Sequence, residues 1–180
     1  LLDEEASKVP EGSEGLIFIP HLGGRAYPNQ PDIKGIWFGF TWKHTVGHFF
    51  RSIMEGIAYE YYHYMKIAKS LFRDLQLEEI RRIGGGSKSR IWAQIKAETL
   101  NIPYVLLDKE EYAALALAVI GGYAVGGIKD YKQAIDKWVK PVARIEPQPK
   151  KHEMYKRYAE FYEHLLYFTN NIFNEHARLF

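Results

Sequence analysis

Residues Ile80–Gln94 read IRRIGGGSKSRIWAQ, placing three consecutive glycines, Gly84, Gly85 and Gly86, between a strand-like run and a helix-like one. A turn that leaves a strand and opens directly into a helix presents unpaired backbone N–H groups at the positive end of the helix dipole, where anions bind. Glycine suits such a turn because a missing Cβ permits positive φ and lets a phosphate or ribose lie against the main chain. A tight strand-to-helix connection that binds nothing would use the same residues, so the turn alone leaves both readings open.

Working outward, a helix is expected over Ser89–Leu100 and a strand over Tyr104–Leu107 after the break at Asn101-Ile102-Pro103. With strand Ile80–Ile83 this makes a βαβ unit, for which parallel pairing through a right-handed crossover is the expected topology. Upstream, Leu16–Pro20 and Ile36–Phe40 read as short buried strands on either side of a loop rich in Gly and Pro. From Thr45, a suitable N-cap, the residues Val46, Phe49, Phe50, Ile53, Met54, Ile57, Tyr61, Tyr64 and Ala68 recur as one face of a helix. Downstream, residues 112–128 carry no charge, and their alanines and glycines predict a buried, closely packed helix and not a membrane span. A short helix is expected over Tyr131–Val139, then an extended connector marked by Pro141, Pro147 and Pro149. A C-terminal helix fills 150–180, with Met154, Tyr158, Phe161, Leu165, Phe168 and Ile172 along one side. This order argues α/β, with helices covering a partly parallel sheet.

The 180 residues suit a single domain, and 47% hydrophobic with 26% charged residues is ordinary for a soluble globular protein. A net charge of +2 with scattered Lys and Arg argues against a nucleic-acid surface, and the absence of cysteine removes disulfides and thiolate metal sites. Leu1-Leu2-Asp3-Glu4-Glu5 is not a signal peptide, and no Met opens the chain.

Three phosphate motifs compete for the glycines. A P-loop needs glycine before its lysine, but Ser87 precedes Lys88. The dinucleotide fingerprint fits Gly84 and Gly86 yet meets Ser89 at its third glycine, with Asp108 standing where a ribose-binding acid is expected. In a looser cradle, Gly85, Gly86 and Ser87 approach ribose and phosphates through backbone groups, and Arg90 lies near the adenine.

The run GGGSKSRIWAQIKAETLNIPYV resembles the adenosine-binding segment of FGGY-family carbohydrate kinases, written GGG-x-x-S-x-x-W-x-Q. GLIFIPHLGGRAYPNQPDIKGIWFGFTWKHT, HFFRSIMEGIAYEYY and EYAALALAVIGGYAVGGIKD resemble further family segments in the same order, so the likeness covers about residues 15–165, with the xylulokinase branch nearest. Ala116 stands where the family helix has glycine, and the loop after Pro20 reads GGRAYP where many relatives have GERTP, with Arg25 read in place of the acid. The resemblance implies an actin-like ATPase (ribonuclease H-like) domain, a mixed sheet flanked by helices. It also implies that residues 1–180 form one domain, most of the C-terminal, nucleotide-side part of a longer cytoplasmic kinase. In that enzyme ATP, with Mg²⁺ bridging its phosphates, would be held through Gly84, Gly85, Gly86, Ser87 and Arg90 and would phosphorylate a sugar, a pentulose such as D-xylulose being the first expectation. The catalytic Asp and most sugar contacts would lie in the absent part, so no catalytic and no metal-binding residue is assigned here and the chain alone is expected to be inactive. The alternatives are a non-catalytic nucleotide-binding scaffold and a Rossmann-type fragment.

Other polar residues read as structural. His44 and His48, spaced i, i+4, are expected to cap or pack, Glu55 to accept buried hydrogen bonds, Gly56 to admit a close helix-to-strand contact, and Ser87 and Ser89 to cap the following helix. The aromatic side of the last helix suggests core or the seam of a homodimer.

Overall fold

The computed structural model describes residues 1–84, 86, 89–109 and 111–179. In chain order the elements are α1 (Leu2–Ser7), a 3-10 turn (Ser13–Gly15), β1 (Ile17–Ile19), β2 (Ile36–Phe38), α2 (Val46–Leu71), β3 (Ile80–Arg82), α3 (Arg90–Leu100), β4 (Tyr104–Leu107), α4 (Tyr112–Ala124), α5 (Tyr131–Trp138), β5 (Pro141–Ile145) and α6 (Pro149–Ala177). β1 and β2 pair antiparallel as a separate ribbon, whereas β3, β4 and β5 form a mixed sheet in that order. β3 runs parallel to β4, with Ile80 opposite Tyr104 and Arg82 opposite Leu106. β5 runs antiparallel to β4, with Tyr104 opposite Ile145. The expected connector after Pro141 is therefore a strand. Proline is tolerated there because Pro141 is the first residue of an edge strand and meets Leu107 only where the register shifts. This antiparallel edge also separates the sheet from an all-parallel Rossmann half.

The centre of the molecule is α2, and two buried polar clusters hold its neighbours to it. In the first, Arg51 donates from Nε to Glu55 at 2.8 Å, from Nη1 to the Val9 carbonyl at 2.8 Å and from Nη2 to the Tyr155 hydroxyl at 2.9 Å. Glu55 also accepts from the Gly12 N–H at 2.9 Å, the Ser13 hydroxyl at 2.8 Å and the Tyr155 hydroxyl at 3.0 Å. Burial opposes the charge on Arg51, but Tyr155 and Glu55 raise its pKa above the usual arginine range. Burial pushes the Glu55 carboxyl upward; with four donors on its two oxygens, the geometry is nonetheless that of a carboxylate, and the pair is read as ionised. One turn further along, Glu60 accepts from Arg25 Nε at 2.8 Å and from the Tyr162 hydroxyl at 2.9 Å.

These clusters decide which side of α6 is inward. The sequence pattern picked Met154, Tyr158, Phe161, Leu165, Phe168 and Ile172, whereas the buried residues are Tyr155, Ala159, Tyr162, Leu165, Leu166 and Phe173. The helix is apolar on two sides, and the side that wins carries the two tyrosines whose hydroxyls complete the ion-pair clusters. Phe161, Phe168 and Ile172 are left exposed, and an apolar hollow of about 490 Å³ opens between Phe38, Met154, Tyr158 and Phe161.

Two further expectations change. β2 is half exposed, not buried: β1 is buried throughout, while β2 packs only through Ile36 on the core, Trp37 on Ser52 and Phe49, and Phe38 beside Phe161. α4, charge-free all round, packs on α5 and buries only Tyr112 and Val119; Leu117 is 71% and Ile120 64% exposed. Composition predicted a buried helix, but among the described residues nothing covers its outer face.

Local expectations hold where the physics is local. His48 Nδ1 accepts from the Thr45 N–H at 3.1 Å, closing a capping box at the start of α2, and His44 Nδ1 accepts from the Thr41 N–H at 3.0 Å. A Cβ on Gly56 would sit 2.2 Å from the Phe18 carbonyl oxygen, so only glycine lets α2 lie on β1.

Candidate functional site around the glycine turn

Of the turn between β3 and α3, the described residues are Ile83, Gly84, Gly86 and Ser89. Gly84 takes a positive φ of 83°, and a Cβ built there would meet nothing within 4 Å, so the main chain is bare on that side. Ser89 is the N-cap of α3, its hydroxyl oxygen accepting from the Trp92 N–H at 3.2 Å. Arg90 follows as the first helical residue with an exposed side chain. Gly84, Gly86, Ser89 and Arg90 thus surround one helix N-terminus. Gly85 and Ser87, the other two residues assigned to the cradle, lie outside the described residues.

Two side chains that the sequence reading left without a role explain the motif's spacing. A Cβ on Gly86 would fall 2.7 Å from the Trp92 ring, so glycine is required where the indole passes beneath the turn. Trp92 is itself fixed, donating from Nε1 to the Met54 carbonyl of α2 at 3.1 Å with the Lys96 ammonium 3.6 Å from its ring centroid. Gln94 donates to Glu98 at 2.8 Å and to the Glu146 carbonyl at 3.1 Å, tying α3 to the segment between β5 and α6. The signal was present as the W-x-Q spacing, but its partners lie 38 and 52 residues away in sequence.

Asp108 is not free to bind a ribose. Its carboxylate accepts from the Tyr112 hydroxyl at 2.6 Å and the Lys140 N–H at 3.1 Å and pairs with Lys109. Hydrogen bonds from Lys109 and Tyr112 hold its pKa far below the usual carboxylate range. It fastens the end of β4 to the start of α4. Ala116 lines an apolar hollow of about 570 Å³ that reaches from α4 and α5 to Ile83, the residue before the turn. Arg25 is buried on Glu60 and donates to Gln30 at 3.1 Å, so it anchors its loop. GGRAYP and GERTP also align with Gly24 opposite the acid and Arg25 opposite the arginine, and this register fits the structure. Gly24 has φ of 89°, and a Cβ there would lie 2.7 Å from the Pro31 carbonyl oxygen, leaving no room for an acid.

Among the described residues no group of three or more His, Asp or Glu is placed to hold a metal ion, and no helix is long and apolar enough to cross a membrane.

These features define an α/β domain with a mixed sheet flanked by helices and an open glycine turn at the head of a capped helix. The pattern of the FGGY family of carbohydrate kinases, C-terminal domain, matches residues 1–125, and the chain belongs to that family. It is 31% identical over 159 residues to a xylulose kinase of Staphylococcus epidermidis, covering 88% of this chain and 32% of the relative. It is also 31% identical over 137 residues to a gluconokinase of Bacillus subtilis, covering 76% and 26%. Among solved structures, a ligand-bound xylulose kinase from Lactobacillus acidophilus superposes with a TM-score of 0.82 at 26% identity over 97% of this chain and 35% of that one. Plasmodium falciparum glycerol kinase with ADP superposes at 0.75, its 22% identity speaking to the fold. The fold is that of the actin-like ATPases. The chain spans about a third of the length of the xylulose kinases it matches.

Proposed function

We propose that the full-length protein transfers the terminal phosphoryl group of ATP to a sugar hydroxyl, and that these 180 residues supply most of the nucleotide-side domain. The observation that carries this reading is the bare main chain at Gly84, beside the N-terminus of α3, in a chain of a carbohydrate kinase family. Backbone N–H groups and the dipole of α3 suit an anionic ligand there, and Gly84, Gly85, Gly86, Ser87 and Arg90 are the residues assigned to hold adenosine and its phosphates. The open side of Gly84 fits a ligand that lies flat on the backbone. Mg²⁺ would neutralise the phosphates when ATP is bound, and none of the described residues is assigned to it.

Phosphoryl transfer depends on positioning and charge neutralisation, so distributing the parts over two domains makes their closure the controlling event. The sugar is chosen by the part of the protein outside this chain; the xylulose kinase relatives favour D-xylulose. The test is a coupled assay of the full-length protein with ATP and D-xylulose, L-ribulose, glycerol or gluconate. Turnover with a sugar is expected, fastest with the pentuloses, and none from the 180-residue chain alone. Phosphorylation by the isolated chain would overturn the division of roles. ATP bound without any turnover in the full-length protein would leave a scaffold.

A further inference from the structure

A hollow of about 530 Å³ lies between one face of α2, the end of α3, the loop before β3 and the first turns of α6. It begins where α3 ends, whereas the glycine turn stands where α3 starts, 11 residues back, or about 16 Å along the helix axis. Met65, Leu75, Leu77 and Ile102 give it an apolar wall. Its polar lining consists of Tyr62, three lysines, one histidine and the amides of Gln76 and Asn101, with no carboxylate.

The lysines are Lys66 and Lys69 of α2 and Lys156 of α6. Lys66 is paired with Glu163 at 2.6 Å, and the charge of Glu160 acts on it too. Lys69 and Lys156 have no ion-pair partner among the described residues. His152 lies 2.9 Å through Nδ1 from the Glu98 carbonyl. A carbonyl only accepts, so Nδ1 is the donor and Nε2 is left available to the hollow that the ring lines.

Part of this charge answers a local need. α2 and α3 both end here, and a cation suits the carbonyl end of a helix, which accounts for Lys69 in the last turn of α2. The same rule counts against α6. Lys150, Lys151 and His152 stand in its first turn, where there is no acid, and Lys156 follows one turn later; the positive end of a helix disfavours cations. Lys151 finds Glu11 at 2.7 Å, but His152 and Lys156 line the hollow instead. A local rule broken with no counter-charge beside it is the mark of a residue placed for something other than its own helix.

We propose that this hollow binds a small phosphate monoester. Lys69 and Lys156 neutralise the phosphoryl group beside His152, since a dianion takes more than one cation and ammonium groups serve phosphate as point charges. The amides of Gln76 and Asn101 are left for hydroxyls, and the apolar wall takes the carbon skeleton. The volume is that of an ordinary small-molecule site. The site is separate from the glycine turn, and the inference does not rest on the kinase reading.

Acetic anhydride labelling of lysines in the full-length protein, mapped by peptide, tests it with D-ribose 5-phosphate, D-xylulose 5-phosphate and glycerol 3-phosphate as probes. At least one ester is expected to slow labelling of Lys69 and Lys156 severalfold, beyond the effect of sodium chloride at equal ionic strength, and to leave Lys34 unchanged. Lys69→Gln, read at Lys156, and Lys156→Gln, read at Lys69, should each raise the half-protecting concentration roughly tenfold, while Lys150→Gln, outside the hollow, should not. These variants separate the hollow from any ester held at the glycine turn. Labelling unchanged by all three esters would overturn the proposal, as would variants no weaker than Lys150→Gln. Equal protection by inorganic phosphate would overturn the assignment to an ester, and stronger protection by a polyglutamate peptide would give the hollow to an acidic protein partner instead.

Discussion

Glu60 shows how one buried charge on a helix fixes three side chains, His21, Arg25 and Tyr162, in place. Burial alone would raise its carboxyl, but hydrogen bonds from His21 and Arg25 together with the Arg25 charge hold it down at about 2, against an ordinary value of 4.5. A carboxyl depressed in the folded state contributes stability above its unfolded pKa, and that contribution is lost as pH falls toward the folded value. Urea midpoints measured from pH 6 downward should therefore decline between about 4.5 and 2, and this decline should be absent from Glu60→Gln. At pH 7 the same variant should lose about 3 to 5 kcal/mol, because Arg25 is left buried without its partner. Tyr155→Phe deletes one hydroxyl that both accepts from Arg51 and donates to Glu55. A loss of about 1 to 3 kcal/mol in chemical denaturation is expected, with the fold intact.

At the scale of elements, α2 is placed by an absence. Gly→Ala inside a helix ordinarily stabilises by about 1 kcal/mol. At Gly56 the sign reverses, because the new methyl would overlap the Phe18 carbonyl oxygen at 2.2 Å and force α2 off β1. Gly56→Ala should cost about 1 to 3 kcal/mol, the usual range for overpacking, read as a lower urea midpoint. Gly56 was legible in the sequence, as were the N-cap at Thr45, the cap at Ser89 and the βαβ unit, since each depends on contacts a few residues long or on strong periodicity. The inward side of α6 was not legible. Two of its faces are apolar, and the choice between them was made by Arg51, Glu55 and Glu60 on α2, about a hundred residues away. β5 was hidden for a related reason: three prolines mark it as extended, and only β4 beside it makes it a strand.

For the molecule as a whole, α4 leaves an apolar face uncovered among the described residues. Its exposed Leu117, Ile120 and Tyr123 are apolar surface that a soluble protein rarely leaves open. The isolated 180-residue chain should accordingly bind an apolar dye such as ANS, and Leu117→Lys with Ile120→Lys should reduce that fluorescence severalfold without lowering the urea midpoint. The full-length protein should bind far less dye. Sequence by itself determined the βαβ unit, the long helix from Thr45, the cap at Ser89 and the family pattern, because these follow from local propensity, periodicity and motif spacing. Only the tertiary structure decided which apolar faces are core, why Trp92 and Gln94 stand at their spacing, and that Asp108 is spent on a structural bond. The physical reason is that burial and polar pairing are properties of partners brought together from distant parts of the chain, and a sequence pattern shows that a face is apolar without showing what will cover it.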